Sequence, residues 1–241
     1  MDKNKIKLIA FDLDGTLTQH RTPIDPVNRE ALTKLSENHR LVMVGAGNAN
    51  RIHKQLEYFP IDVIGNYGME EGVYNKETKL LDIVSVKTCF PLSEEEVRRR
   101  INILREEFKC GEYAGDYVEI HASGMLTFPM LGTKADIKDK LAYDPDRSKR
   151  RPLFPRVKEM FPEYTTFIGG SSSFDIVPLP YNKLHALKAY CEKYGYTAEE
   201  TAFFGDDYRE GGNDAQVYNS EFNFITVDDY RTFPERAKLL L

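Results

Sequence analysis

No stretch of this 241-residue chain approaches the roughly 20 consecutive apolar residues that a membrane-spanning helix needs. The apolar run beginning at Ile6 is too short for a secretory signal and follows the polar start Asp2-Lys3-Asn4-Lys5, so a cytoplasmic protein is expected. Cysteine is scarce: Cys89, Cys110 and Cys191 are odd in number, far apart and without C-x-x-C spacing, which excludes a disulfide framework and a structural zinc site. None of His20, His39, His53, His121 and His185 pairs with another at the i,i+3 or i,i+4 spacing of a metal site on a helix. Positive charge is not in excess either. The 33 basic and 38 acidic side chains leave a net charge of −5, with no global field to recruit nucleic acid or an anionic membrane. There is no internal repeat and no low-complexity tract. What remains, 41% hydrophobic and 29% charged residues, is the composition of an ordinary globular protein.

Ile6-Lys7-Leu8-Ile9-Ala10-Phe11 reads as a strand buried on both faces of a parallel sheet. Asp25 and Pro26 form a helix start, with Val27, Ala31, Leu32 and Leu35 as its apolar face. The strand Leu41-Val42-Met43-Val44, a helix carrying Ile52, Leu56 and Phe59, and a short strand at Val63-Ile64 follow. Near residue 80 the texture changes. Ser93-Glu94-Glu95-Glu96 is a capping box, continued at helical spacing by Val97, Ile101, Leu104 and Phe108. Strand-like segments then occur at 117–121, 125–130, 165–168 and 174–177, while Pro152 and Pro155 exclude a single helix through 145–160. Asn182 caps another helix with Leu184, Leu187, Cys191 and Tyr194 on one face, and strands at 201–204 and 222–227 complete the pattern. The expected fold is a Rossmann-like, doubly wound parallel α/β core, residues 1–82 and 182–241, interrupted by an inserted α+β domain, residues 83–181. Of the two basic clusters, Arg98-Arg99-Arg100 reads as a solvated helix face. The run at 147–151 reads as a solvated loop, with a partner patch or a phosphate lure as the other reading.

The chemistry concentrates in Phe11-Asp12-Leu13-Asp14-Gly15-Thr16, directly after the first strand, where open α/β sheets place their ligands. Two aspartates two residues apart at a strand end can turn toward one site, with Gly15 permitting the turn. Like charges buried so close are costly unless a cation lies between them, which points to a hard divalent metal with oxygen ligands, magnesium first. Phe204-Gly205-Asp206-Asp207 ends a late strand in the same manner, followed by Gly211-Gly212-Asn213-Asp214, and Lys183 opens the helix after the insertion. An acidic pair, a lysine and a second acidic cluster at element ends make a phosphoryl-transfer kit.

These motifs in this order, FDLDGT, a lysine, then GDD followed by GGND, resemble the haloacid dehalogenase superfamily, and within its subfamily IIB the eukaryotic-type phosphomannomutases with their inserted type C2 cap. The resemblance runs almost end to end. It includes Thr16-Leu17-Thr18 with Arg21, Gln55-Leu56, Val118-Glu119, Met125-Leu126, Gly169-Gly170 and Ser173-Phe174-Asp175. It implies Asp12 as nucleophile, Asp14 as general acid and base, and Lys183 as the cation on the phosphoryl oxygens. It also implies magnesium on the Asp12 carboxylate, the Asp14 carbonyl and Asp206, with Asn213 and Asp214 as further ligands or their supports. Arg21, Ser173 and Asp175 match positions that hold a sugar phosphate. A cap that opens and closes about residues 82 and 181, and a homodimer through the cap, are further implications.

The departures shape the functional expectation. The second superfamily motif ends its strand with Ser or Thr, whereas Val44-Gly45-Ala46-Gly47-Asn48 places Gly47 there, leaving backbone N–H groups and Asn48 to meet a phosphate. The family cap carries arginines that clamp the distal phosphate, but residues 120–140 contain none. His121 or Ala122, Thr133 and Lys140 align with them, with Lys134 and Lys138 nearby. Lysines supply charge without a bidentate fork. A mutase needs two strong phosphate sites and a hydrolase one. The expectation is therefore a magnesium-dependent phosphatase of a small phosphorylated metabolite such as a sugar phosphate, with a phosphomannomutase-like mutase as the alternative and a silent sugar-phosphate-binding module third.

Overall fold

Leu8 and Ala10 point to one side of their strand and Ile9 and Phe11 to the other, as the pleat dictates, and all four are fully buried. Only a sheet covered on both faces produces that pattern. In the computed structural model, which describes residues 2–241, the strands in chain order are β1 (Leu8–Phe11), β2 (Arg40–Val44), β3 (Asp62–Gly65), β4 (Glu70–Tyr74), β5 (Leu81–Val86), β6 (Glu119–Ile120), β7 (Leu126–Pro129), β8 (Tyr164–Phe167), β9 (Ser173–Pro178), β10 (Thr201–Gly205) and β11 (Asn223–Thr226). The α-helices are α1 (Pro26–Ser36), α2 (Ala49–Gln55), α3 (Glu94–Glu107), α4 (Ile137–Tyr143), α5 (Phe154–Met160), α6 (Lys183–Tyr194), α7 (Ala215–Tyr218) and α8 (Phe233–Ala237). The chain divides into two compact units. One holds the residues up to Lys87 with Asn182–Glu210 and Asp214–Leu241; the other holds Thr88–Tyr181 with Gly211–Asn213.

The first unit is an α/β fold on a seven-stranded sheet in the order β11-β10-β1-β2-β3-β4-β5. The strands from β11 to β3 run parallel, while β4 and β5 add an antiparallel edge. One face buries Ile9, Phe11, Met43 and Phe204 against Ala31, Leu32 and Leu35 of α1, Ile52 of α2 and Phe233 of α8. There the Phe11 and Phe204 rings stack at 5.4 Å and Phe233 meets Phe11 edge-on at 5.9 Å. The other face buries Leu8, Ala10, Val42, Val44 and Phe203 against Ala186, Leu187, Tyr190 and Cys191 of α6. Each Leu, Ile, Val, Met or Phe side chain among them contributes roughly 1.5–3 kcal/mol of burial. Because β1 lies between β2 and β10, the winding reverses at its carboxyl end, and the crevice of an open sheet forms there.

Three local expectations change. Val27 is 63% exposed and does not join the α1 core face; buried Asn28 replaces it, donating to the Leu17 and Tyr230 carbonyls at 2.9 Å. Tyr194 is likewise exposed, and Tyr190 takes the buried position and donates to Asp62 at 2.9 Å. The β4–β5 hairpin was not anticipated, and β5 carries the core sheet beyond residue 82, so the first unit continues to Lys87.

The second unit is an antiparallel sheet in the order β6-β7-β9-β8. Phe128, Phe174 and Ile176 of this sheet pack with Val97, Ile101 and Leu104 of α3 and with Val157 of α5. Proline explains the start of α5, since Pro155 occupies its first turn. At α3 the Ser93 hydroxyl accepts from the Glu96 N–H at 3.3 Å, but the reciprocal half of the capping box gives way: the Glu96 carboxylate takes Arg99 and Arg100, both at 2.7 Å. The run at 147–151 is also not simply a solvated loop. Arg150 is fully buried, donates to Asp144 at 2.8 Å and to the Gly169 and Ser173 carbonyls at 2.6 and 2.7 Å, and so ties down the turn before β9.

Candidate active site

The ladder between β1 and β10 continues one residue past β1, with the Asp12 N–H donating to the Phe204 carbonyl at 2.9 Å. Asp12 is thereby held at the strand end. The chain then folds back on itself: the Leu17 and Thr18 amides donate to the Leu13 carbonyl and the Gly15 amide to that of Thr18. Gly15 adopts a φ of +104°, which an L side chain tolerates poorly. Space makes the same demand, because a Cβ on Gly15 would lie 2.4 Å from Asp206 Oδ2, and one on Gly205 2.6 Å from Asp214 Oδ2. The two glycines are the floor on which these carboxylates rest.

Lys183 opens α6 behind the Asn182 cap, whose oxygen accepts from the His185 N–H at 2.8 Å. Its ammonium is fully buried between Asp12 Oδ1 at 2.5 Å and Asp214 Oδ1 at 2.7 Å. Asp214 is fixed further by the Asp207 N–H at 3.0 Å, and Asp206 accepts from the Thr16 hydroxyl at 2.9 Å.

Oxygens of Asp12, Asp206 and Asp214 all lie within 4.8 Å of one another. With all three carboxylates ionised, one ammonium would leave two negative charges in a desolvated place. Burial, then the charges of Asp12 and Asp214, push Asp206 up to about 9. Burial raises Asp214 as well, with Lys183 opposing. Lys183 itself moves up, since Asp12 and Asp214 outweigh the burial that would lower it. A hard divalent cation with oxygen ligands suits this donor set and the missing charge.

Asp14 lies outside that cluster. Its Oδ1 accepts from Gln55 Nε2 and from the Arg21 N–H, both at 2.7 Å, and its Oδ2 faces His20 Nδ1 at 3.8 Å and Arg51 Nη2 at 3.9 Å. Burial lowers the His20 pKa, with Asp14 opposing and Arg21 and Arg51 reinforcing. Arg21 thus presents its backbone to Asp14, while its side chain is exposed. Asn48 caps α2, its oxygen accepting from the Arg51 N–H at 2.8 Å. Gly47 lies beneath the Arg51 guanidinium.

The remaining sequence-derived candidates belong to the second unit. The Ser173 hydroxyl donates to the Gly169 carbonyl at 3.1 Å. Asp175, paired in register with Thr127, lays its carboxylate where a Cβ on Gly169 would be, 2.3 Å from its carbon. Lys140 donates to the Thr133 carbonyl at 3.0 Å, and exposed Lys134 lays its stem over Gly115. Asn213 lies in the 211–213 segment that groups with this unit. Sequence reasoning assigned no role to Thr16, Gln55 or Arg51. For Arg51, the signal was a glycine in place of a hydroxyl residue four positions before an arginine.

Fold and site together define an enzyme of the haloacid dehalogenase fold that transfers phosphoryl groups. The eukaryotic phosphomannomutase profile matches residues 28–234, and the chain belongs to that family. It is similar to the phosphomannomutase of Glycine max, 32% identical over 89% of this chain and 87% of the relative, and to that of Saccharomyces cerevisiae, 30% identical over 89% and 85%. Its fold is shared by the IMP-bound, N-terminally truncated IMP-nucleotidase of Plasmodium falciparum (TM-score 0.69, 16% identity, 98% of this chain and 68% of that one). A haloacid dehalogenase-like hydrolase from B. subtilis also shares it (TM-score 0.64, 16% identity, 98% and 100%). These relatives favour the mutase alternative over the phosphatase expected from the sequence. No helix among the described residues is long and apolar enough to cross a membrane.

Proposed function

We propose that this protein is a magnesium-dependent hexose-phosphate mutase of the phosphomannomutase type, working through an aspartyl-phosphate on Asp12. The observation that carries the reading is the buried Asp12–Lys183–Asp214 bridge beside Asp206, in a chain whose relatives are named for that activity. In the first half-reaction an Asp12 oxygen bonds to phosphorus while the bond from phosphorus to the sugar oxygen breaks, and Asp14 gives that oxygen its proton. In the second, an acceptor hydroxyl of the sugar phosphate gives its proton to Asp14 as its oxygen attacks the aspartyl-phosphate and frees Asp12. Lys183 holds Asp12 in place and offsets phosphoryl charge throughout. Magnesium, held by Asp12, Asp206, the Asp14 carbonyl and either Asp214 or Asn213, would supply the positive charge that the three carboxylates lack. Ser173 and Asp175 are the second unit's candidates for sugar hydroxyls.

A phosphatase reading has its own support. Residues 120–140 carry no arginine, Lys140 is engaged with Thr133, and Arg150 is spent on backbone carbonyls. Phosphorus NMR of mannose 1-phosphate incubated with protein, magnesium and a hexose bisphosphate separates the two. Interconversion of the 1- and 6-phosphates supports the mutase; accumulation of free phosphate alone replaces it with the hydrolase.

A further inference from the structure

Gly47 is a glycine without a backbone reason. Its φ lies outside the left-handed region that favours glycine, unlike that of Gly15, so the conformation would accept any side chain. Space would not. A Cβ built there lies 2.1 Å from Nη2, 2.5 Å from Nε and 2.6 Å from Cζ of Arg51. The guanidinium is folded back onto the loop that ends β2, and a side chain at 47 would expel it.

That loop flanks the candidate site. In the parallel pairing of β1 with β2, Phe11 is level with Met43, which puts Asp12 opposite Val44 and Gly47 three residues beyond, on the same carboxyl-end rim. The guanidinium is anchored but not saturated. Asn48 fixes the Arg51 backbone, Nη1 donates to Gln55 Oε1 at 3.1 Å, and Nη2 stands 3.9 Å from Asp14 Oδ2, an ion-pair distance beyond a hydrogen bond. A guanidinium has five N–H donors in a planar fork. Arg51 therefore offers Nε and Nη2, side by side, at the place where the superfamily resemblance puts a single hydroxyl, and such a pair matches two oxygens of one phosphoryl group.

We infer that Arg51 is the phosphoryl-binding residue of the β2 loop, with Gly47 as the space that admits its guanidinium. The inference rests on the phosphoryl-transfer reading of this site and adds to it a group on the β2 loop that holds the transferring phosphate. The exchange has a chemical consequence: a neutral one-donor contact becomes a cationic two-donor one. Arg51 and Gly47 therefore function as a pair, and neither substitutes independently.

The test is inorganic phosphate binding by calorimetry at fixed magnesium, with thermal melts to check folding and hexose-phosphate turnover measured separately. Arg51 is about 40% exposed, so Arg51→Ala folds. Arg51→Ala weakens phosphate binding at least tenfold, and Arg51→Lys recovers part of it. Gly47→Ser alone also weakens it, by displacing the fork, whereas Gly47→Ser added to Arg51→Ala recovers affinity by restoring a hydroxyl. Phosphate affinity within twofold of wild type in Arg51→Ala overturns the inference, as does the absence of any phosphate binding by the wild type. Gln55→Ala matching the full loss overturns it too, by assigning Arg51 to the positioning of Gln55. Wild-type protein that binds phosphate through Arg51 but turns over no hexose phosphate contradicts the proposed function and leaves the inference standing.

Discussion

Lys183 and Asp12 form an ion pair at 2.5 Å in which the ammonium has no exposed surface, and the same ammonium reaches Asp214 at 2.7 Å. Removing one partner of such a pair strands buried charge, at about 3–5 kcal/mol. Lys183→Met is therefore expected to lower stability by that amount in magnesium-free urea titrations at pH 8, and to reduce turnover roughly 10²–10³-fold. A variant of wild-type stability would mean that the carboxylates do not need this cation.

Magnesium should matter more as pH rises. Asp206, raised to about 9, and Asp214, also raised, keep protons in the metal-free folded state that unfolded aspartates release near pH 3.9. For these groups the folded protein is most favoured below that pH and loses stability as pH climbs toward 9. A metal displacing those protons reverses the loss. Differential scanning calorimetry is expected to give a larger magnesium-induced rise in Tm at pH 8 than at pH 6. An equal or smaller rise at pH 8 counts against metal binding at this cluster.

Gly15→Ala tests the carboxylate floor. The new Cβ would meet Asp206 Oδ2 at 2.4 Å with φ at +104°, so both strain and displacement follow. A loss of more than about 1 kcal/mol is expected, together with at least tenfold weaker magnesium binding by calorimetry. Unchanged magnesium affinity would show that Asp206 does not depend on this glycine.

In the second unit Arg150 and Asp144 are buried together, their side chains 1% and 0% exposed. Arg150→Met strands Asp144 and should cost about 3–5 kcal/mol in urea unfolding, while adding Asp144→Asn recovers part of that. No recovery in the double variant would mean that the carbonyls of Gly169 and Ser173, not Asp144, define the role of Arg150.

The core was legible because local signals and global fold agree there. A run buried on both faces, followed by Asp12, Gly15 and a second glycine-flanked acidic cluster, has few physical uses. What was not legible depended on neighbours far along the chain. Arg150 looks like one member of a solvated basic run, and only Asp144 and the 169–173 turn make it a core residue. Val27 and Tyr194 fit helical spacing at the edge of an apolar face, where one step decides burial. The β4–β5 hairpin hid because Glu70, Glu71 and Asp82 break its apolar pattern at the sheet edge. Arg51 was invisible because its meaning lies in the missing side chain of Gly47.

The proposed mechanism stands on an aspartyl-phosphate at Asp12, and trapping that intermediate tests it. Protein turning over a hexose bisphosphate with magnesium is quenched with borohydride, which reduces an acyl phosphate to the alcohol, and the peptide containing residues 8–18 is sequenced by mass spectrometry. Homoserine is expected at position 12, with Asp14 unchanged and no trapping in Asp12→Asn. Modification at another carboxylate, or an Asp12→Asn variant with turnover within tenfold of wild type, would contradict it.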